Sequence, residues 1–192
     1  MLRREAGIRT GRRLSHIFHM SVPDDERAFL ISDAALNVAP DLKTFQAITE
    51  NMVTLGHALG MERPRFAVLS ATEEPLPQMP SSLMARSVAD WASGADLAAE
   101  IAGPLAFDNA VSPEAAAIKG LADHPVAGQA DGVIVPTIEV GNALFKIMVY
   151  FMGACAAGIV MGGRIPIILT SRADPPEARL ASAALAAIAT ES

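Results

Sequence analysis

Residues 170–174 read Thr-Ser-Arg-Ala-Asp, directly behind the apolar run Ile165–Leu169 and directly before Pro175 and Pro176. A hydroxyl, a guanidinium and a carboxylate thus arrive together where a buried segment surfaces. The Arg172 guanidinium is a planar fork that matches phosphate oxygens two at a time. The Ser171 hydroxyl can donate to a developing negative charge. Asp174, with prolines after it and Glu177 three residues on, fits an N-cap with a capping-box partner, and Pro175 fits the first helical position. That helix start could also hold an anion. The two prolines remove two of the N–H groups that would bind it, so an anion there depends on Arg172.

Three further clusters carry polar chemistry. In "GPLAFDNA", Gly103 and Pro104 allow a strand end to turn sharply, and Asp108 and Asn109 follow on the same edge; a turn with a helix cap explains them equally well. Glu139, Asn142 and Lys146 stand at i, i+3 and i+7, on one helical face, where Gly141 permits close approach of another segment. The alternative is a solvated face with a small-residue contact. Asp33 and Asn37 follow a strand and read as turn chemistry. His16 and His19 are three apart on a strand, point to opposite faces and cannot share a metal. His57 and His124 are isolated, and no HExxH, CxxC, GxGxxG, P-loop or G-x-S-x-G pattern occurs. No metal site is expected. Cys155, the single cysteine, excludes an internal disulfide and reads as a small buried hydrophobe in an apolar run.

The elements that must position these residues alternate between short apolar strands and longer helical patterns. Strands are expected at His16–Met20, Ala28–Ser32, Phe66–Leu69, Leu97–Ala102, Gly132–Val135, Ala157–Met161 and Ile165–Leu169, with the turn "SVPDDER" between the first two. Asp41 opens a helix whose apolar residues Leu42, Phe45, Ile48, Met52, Leu55 and Leu59 recur at helical spacing until Gly60. Further helices are expected over Ser82–Ala92, from about Pro113, over Glu139–Met152 and from Pro175 to about Ala189. The loop "TEEPLPQMPSS" carries three prolines that interrupt regular structure. Continuous apolar strands between helices predict an α/β fold, three-layer α/β/α, with a mostly parallel sheet covered on both faces. In such sheets ligands sit beyond the carboxyl ends of the strands. That rule singles out Ser32-Asp33, Ser70, Gly103-Pro104, Pro136-Thr137 and Thr170-Ser171-Arg172.

The chain has 192 residues, 51 % hydrophobic and 19 % charged, with a net charge of −6. That suits one globular domain or slightly more. Arg3, Arg4, Arg9, Arg12 and Arg13 stand against Glu5 in the first thirteen residues, which leaves −10 on the remainder. Residues 1–13 therefore read as a basic, solvated segment before a domain over 14–192. An acidic body does not fit nucleic acid. The uncharged stretch Ile147–Gly163 is just under spanning length and carries four glycines, so it reads as a helix running into a strand rather than a membrane segment.

Taken together and in order, "SDAALNVAPD", "GPLAFDNAVSPEAA", "PVAGQADGVIVPTIEVGNALFK" and "GGRIPIILTSRAD" resemble the phosphate acetyltransferase and phosphate butyryltransferase family. The resemblance runs from about Arg12 to Ala189 and is nearest the butyryl branch and the transferase part of bifunctional enoyl-CoA hydratase/phosphate acetyltransferases. It implies acyl-CoA plus phosphate giving acyl phosphate plus CoA, with coenzyme A as substrate and no tightly bound cofactor. It also implies an isocitrate/isopropylmalate dehydrogenase-like fold with most of the N-terminal domain missing, a cytoplasmic homodimer, and a possible separate N-terminal half as partner. By resemblance, Arg172 clamps phosphate and Ser171 helps the thiolate leave or steadies the oxyanion. Thr170, Asp108, Asn109, Glu139, Asn142 and Lys146 are the implied substrate-binding set. Acetyl-type members carry a catalytic aspartate seven residues after that serine, where this chain has Ala178; butyryl-type members keep "SRAD", which makes Asp174 the candidate base. The alternative is a truncated paralogue that binds CoA or a partner subunit without turnover. A third reading, a hydroxyacid dehydrogenase of the same fold, lacks its metal-binding aspartates and nicotinamide site.

Overall fold

The computed structural model describes residue 7 and residues 10–23 and 27–190. Arg3, Arg4, Glu5 and Arg9 of the basic segment, and Asp24, Asp25 and Glu26 of the first turn, lie outside the described residues.

Among the described residues seven strands form one sheet: β1 (Ser15–Ser21), β2 (Ala28–Ser32), β3 (Arg65–Leu69), β4 (Glu100–Leu105), β5 (Gly132–Ile134), β6 (Cys155–Met161) and β7 (Ile167–Ile168). Their spatial order is β4-β3-β5-β2-β1-β6-β7. Neighbours β4-β3-β5-β2 pair in parallel, while β1 is antiparallel to both β2 and β6, and β7 to β6. Five strands therefore point one way, with β1 and β7 reversed. The helices are α1 (Leu42–Ala58), α2 (Pro80–Gly94), α3 (Phe107–Val111), α4 (Pro113–Ile118), α5 (Ile138–Met152) and α6 (Pro176–Ile188).

Period-2 alternation sorts the strand side chains into two cores. Ile17, Leu30, Phe66, Val68, Ile134 and Ile159 face Phe45, Ile48, Met52 and Leu55 of α1, Ala85 and Val88 of α2, and Leu185 of α6. Phe18, Met20, Ile31, Leu69 and Val133 face Phe145 of α5 together with Ala110 and Ala116 of α3 and α4. The three layers follow, as expected. Asp41 caps α1 by accepting the Thr44 N–H at 2.8 Å, and Gly60 beyond its end takes φ +85°, a conformation suited to glycine.

Several boundaries move. Gly103 and Pro104 lie inside β4 rather than in a turn after it. Proline is tolerated there because β4 is an edge strand, so a ladder donor is not required on its outer side. The turn comes two residues later, and the cap belongs to Ser112, whose hydroxyl accepts from the Ala115 N–H at the start of α4. Pro80, read as a loop breaker, is the first residue of α2, where its missing N–H is not needed. The uncharged stretch Ile147–Gly163 breaks at Gly153, which caps α5 in the left-handed region at φ 66°, and then enters β6. Among the described residues no helix is long and apolar enough to cross a membrane.

Candidate functional site

The reversed direction of β7 decides where the Thr170–Asp174 turn lies. Ile167 pairs with Val160 and Ile168 with Ile159, and the Leu169 N–H reaches the Gly158 carbonyl. The chain therefore leaves β7 toward Cys155, at the amino ends of the five co-directional strands. Asp33, Ser70 and Thr137 follow the carboxyl ends of β2, β3 and β5, at the opposite edge. The expectation that all strand-end polar groups share one edge is thus corrected, because the orientation of a strand in its sheet is set by long-range pairing and not by its own sequence.

The turn closes on itself. One carboxylate oxygen of Asp174 accepts the Ser171 N–H at 2.5 Å, and the Asp174 N–H donates to the Ser171 carbonyl at 3.2 Å. The Ser171 hydroxyl accepts from the Ala173 N–H at 3.4 Å. Asp174 is not the N-cap of α6. Pro175 holds that position with ψ 164° and makes no side-chain cap bond. Proline at 176 forces the residue before it into extended backbone, which pushes the helix start one residue along and strands the Asp174 carboxylate outside it. The capping-box partnership with Glu177 is absent for the same reason. Arg172 is exposed, while Thr170, Ser171 and Asp174 are half-buried.

Beside this turn a cleft of about 210 Å³ opens between the end of α5 and the start of α6. Val149 and Gly153 form one wall, Asp174, Pro175, Glu177 and Ala178 the other, and Cys155 and Ala156 the floor. Ala178, at the position seven residues after Ser171, thus faces the same space as Asp174 and Glu177. Cys155 is partly exposed rather than buried, because it begins β6 where the cleft cuts into the sheet. Burial first, then the carboxylates of Glu177 and Asp174, push its thiol above the ordinary range. It remains protonated and is a poor nucleophile.

Lys146, Val149 and Gly153 are spaced i, i+3 and i+7, so the polar stripe on α5 continues into the cleft wall. Lys146 stands one turn from the cleft. Glu139 lies at the far end of the helix, about 10 Å further along the axis at 1.5 Å per residue. Hydrogen bonding from Thr137, then its own backbone, lowers the Glu139 carboxyl. Gly141 does permit a close approach: a Cβ there would stand 2.9 Å from the Asp33 carbonyl oxygen and 3.0 Å from Ala34. Asp33 itself is buried and fully engaged. Its carboxylate accepts from the His16, Ala35 and Leu36 N–H groups and from the Asn37 side chain. The turn-chemistry reading of Asp33 and Asn37 holds.

Asp108 and Asn109 join neither group. They lie on α3 after β4, where the Asn109 carbonyl accepts the Gly128 N–H at 2.7 Å, ahead of β5. Asp108 is exposed, whereas Asn109 is buried and its side-chain amide donates to the Glu73 carboxylate. Glu73 also lies 3.7 Å from Lys119. The structure therefore brings together Thr170, Ser171, Arg172 and Asp174, puts Lys146 one helical turn before Val149 of the cleft wall, and leaves Glu139, Asn142, Asp108 and Asn109 elsewhere. Sequence reasoning missed Val149, Gly153 and Cys155 as cleft residues; the i, i+3, i+7 continuation from Lys146 is a signal for the first two, and Cys155, on β6, carries none. Among the described residues no group of three or more His, Cys, Asp or Glu side chains could hold a metal ion.

The family model described as "Phosphate acetyl/butaryl transferase" matches residues 2–187. This chain belongs to that family. The match begins ahead of Arg12, so the basic segment falls within the family pattern. The chain is 45 % identical over 183 residues to a phosphate acetyltransferase of Rhizobium meliloti, covering 95 % of this chain and 58 % of that protein. It is 42 % identical over 192 residues to a probable phosphate butyryltransferase of Bacillus subtilis, covering all of this chain and 64 % of the relative. The chain thus spans about three fifths of the length of these relatives. Among solved structures, a branched-chain phosphotransacylase from Enterococcus faecalis superposes with a TM-score of 0.89 at 38 % identity, over 99 % of this chain and 68 % of that one.

Proposed function

We propose that this protein acts as an acyl-CoA:phosphate acyltransferase on acetyl or butyryl groups. A phosphate oxygen attacks the thioester carbonyl carbon, the new C–O bond forms, and the C–S bond breaks. The phosphate proton ends on the CoA sulfur, so hydrogen phosphate and acyl-CoA give acyl phosphate and CoA. The observation that carries this reading is the closed Ser171–Asp174 turn beside the cleft between α5 and α6.

The residues have separable roles. Arg172, free to swing at the surface, binds the phosphate dianion as a fork. Ser171 donates its hydroxyl to the carbonyl oxygen or the leaving sulfur as charge develops there. Asp174 fixes the turn through the Ser171 N–H and stands close enough to the cleft to take or orient the phosphate proton. Thr170 leads into the turn, and Lys146, one helical turn before Val149 of the cleft wall, supplies positive charge as two anionic substrates approach. Most of the rate gain in such a reaction comes from orientation and charge stabilisation.

The family relationship further supports an isocitrate/isopropylmalate dehydrogenase-like architecture, CoA as a substrate and a cytoplasmic setting. The exposed Ile147, Tyr150, Phe151 and Met152 of α5 support assembly with a second copy or a further domain. The test is thioester formation by the purified chain from CoA with acetyl phosphate and, separately, butyryl phosphate. Loss of free thiol matched by phosphate release is expected, and the faster donor assigns the branch. No turnover with either donor would refute the assignment for this chain.

A further inference from the structure

His16 takes no part in the chemistry above, yet it joins the end of β2 to the segment that leads into the turn. It is fully buried on β1. Its backbone N–H donates to the Asp33 carboxylate at 3.0 Å, and its carbonyl accepts from the Ser32 hydroxyl at 2.9 Å. Its ring Nε2 lies 3.2 Å from the Leu169 carbonyl oxygen. A carbonyl can only accept, so Nε2 carries the hydrogen and the neutral ring is in that tautomer. Nδ1 is then a buried acceptor with no partner, a cost that an apolar side chain of similar size would not incur.

A second feature is built around the same bond. A Cβ on Gly158 would stand 2.4 Å from the Leu169 carbonyl oxygen and 2.9 Å from His16 Nε2. Glycine weakens a strand interior, and here its bare face is what lets ring and carbonyl meet. Phe18 sets the ring from one side, edge to face at 4.3 Å, and itself stacks on Phe145 of α5 at 4.3 Å. β7 is only two residues long, so little ladder holds the segment that leads into the turn. Leu169 is the last residue of that segment, two before Ser171. The charges that act on the ring are those of Asp33, at the end of β2, and Asp174, in the turn itself.

We propose that His16 is a positioning residue for the acyl-transfer site: its Nε2–H bond to the Leu169 carbonyl sets where Ser171 and Arg172 stand over the cleft. The inference rests on the acyltransferase reading for its consequence in catalysis, but the tether itself does not. Two variants of the whole chain test it. His16→Phe fills the space without a donor, whereas His16→Gln carries an N–H near the position of Nε2. In the phenylalanine variant kcat for thioester formation falls ~tenfold or more with KM for CoA little changed, and backbone exchange of residues 170–173 quickens about tenfold. In the glutamine variant kcat returns to within about threefold of the parent. Parent-like kcat and exchange in His16→Phe, or a glutamine variant as impaired as the phenylalanine one, would overturn the proposal. If His16→Phe fails to fold, nitrogen NMR of the unaltered chain decides: the Nε2–H tautomer is expected, and an Nδ1–H tautomer rules the tether out. An unaltered chain with no turnover would refute the acyltransferase reading alone, and the exchange and tautomer measurements would still decide the tether.

Discussion

Asp33→Ala removes one buried carboxylate and leaves four donors aimed at the space it filled. Two of those bonds, from the His16 N–H at 3.0 Å and the Asn37 amide at 2.6 Å, are fully buried; two, from the Ala35 and Leu36 N–H groups at 2.9 Å, are partly open to solvent. A buried donor left without a partner costs about 1–3 kcal/mol, while a solvent-accessible one finds water. The substitution should therefore cost about 4 kcal/mol, mostly from the first pair. For a chain of this size that lowers Tm by roughly 8–16 °C. Asp33→Asn keeps one acceptor oxygen and should lose about half as much. Differential scanning calorimetry of both variants gives the comparison. Because Gly141 packs on the Asp33 carbonyl, exchange protection in the first turn of α5 should fall as well. A Tm within about 2 °C of the parent for Asp33→Ala would show that the four bonds are replaceable by water and that the reasoning is wrong.

The other predictions concern the turn and the histidines. Arg172→Ala should lose most turnover, ~100-fold or more, with Tm unchanged because the side chain is exposed; steady-state kinetics beside a melting curve would check this. Asp174→Asn should cost ~tenfold in kcat with little change in Tm, since Pro175 and not Asp174 caps α6; a large Tm loss with normal turnover would make it purely structural. Burial holds His16, His19 and His124 below the ordinary value of 6.5, so the unfolded chain binds more protons in that range. Their contribution is full above pH 6.5 and declines as pH falls. The lowered carboxyls of Asp41, Glu114 and Glu139 begin to act only below their ordinary 3.8 and 4.5. Tm measured between pH 7.5 and 5 should therefore fall, and His16→Gln should flatten that slope.

Local chemistry in the sequence determined a good deal. Helical spacing from Leu42 to Leu59, the Asp41 cap and Gly60 together delimit α1, because each acts within one or two turns of chain. Strand periodicity located all seven described strands to within about three residues, and the apolar runs implied a sheet covered on both faces. The Ser171-Arg172 pair was visible because residue types alone suggest its chemistry. What the sequence could not carry is the identity of each residue's distant neighbour. That β7 runs against β6 and that His16 meets Leu169 over a bare Gly158 both depend on partners far along the chain. The direction of β7 moved Thr170–Asp174 to the opposite sheet edge from Asp33 and Thr137, and the packing of α3 put Asn109 against Glu73 and Gly128 rather than beside Ser171. Pairing between strands is chosen by the total burial and hydrogen bonding of the assembled sheet, a sum over long-range contacts that no local pattern contains. The residue types were therefore legible in the chain, and which of them share a site was decided by the tertiary structure.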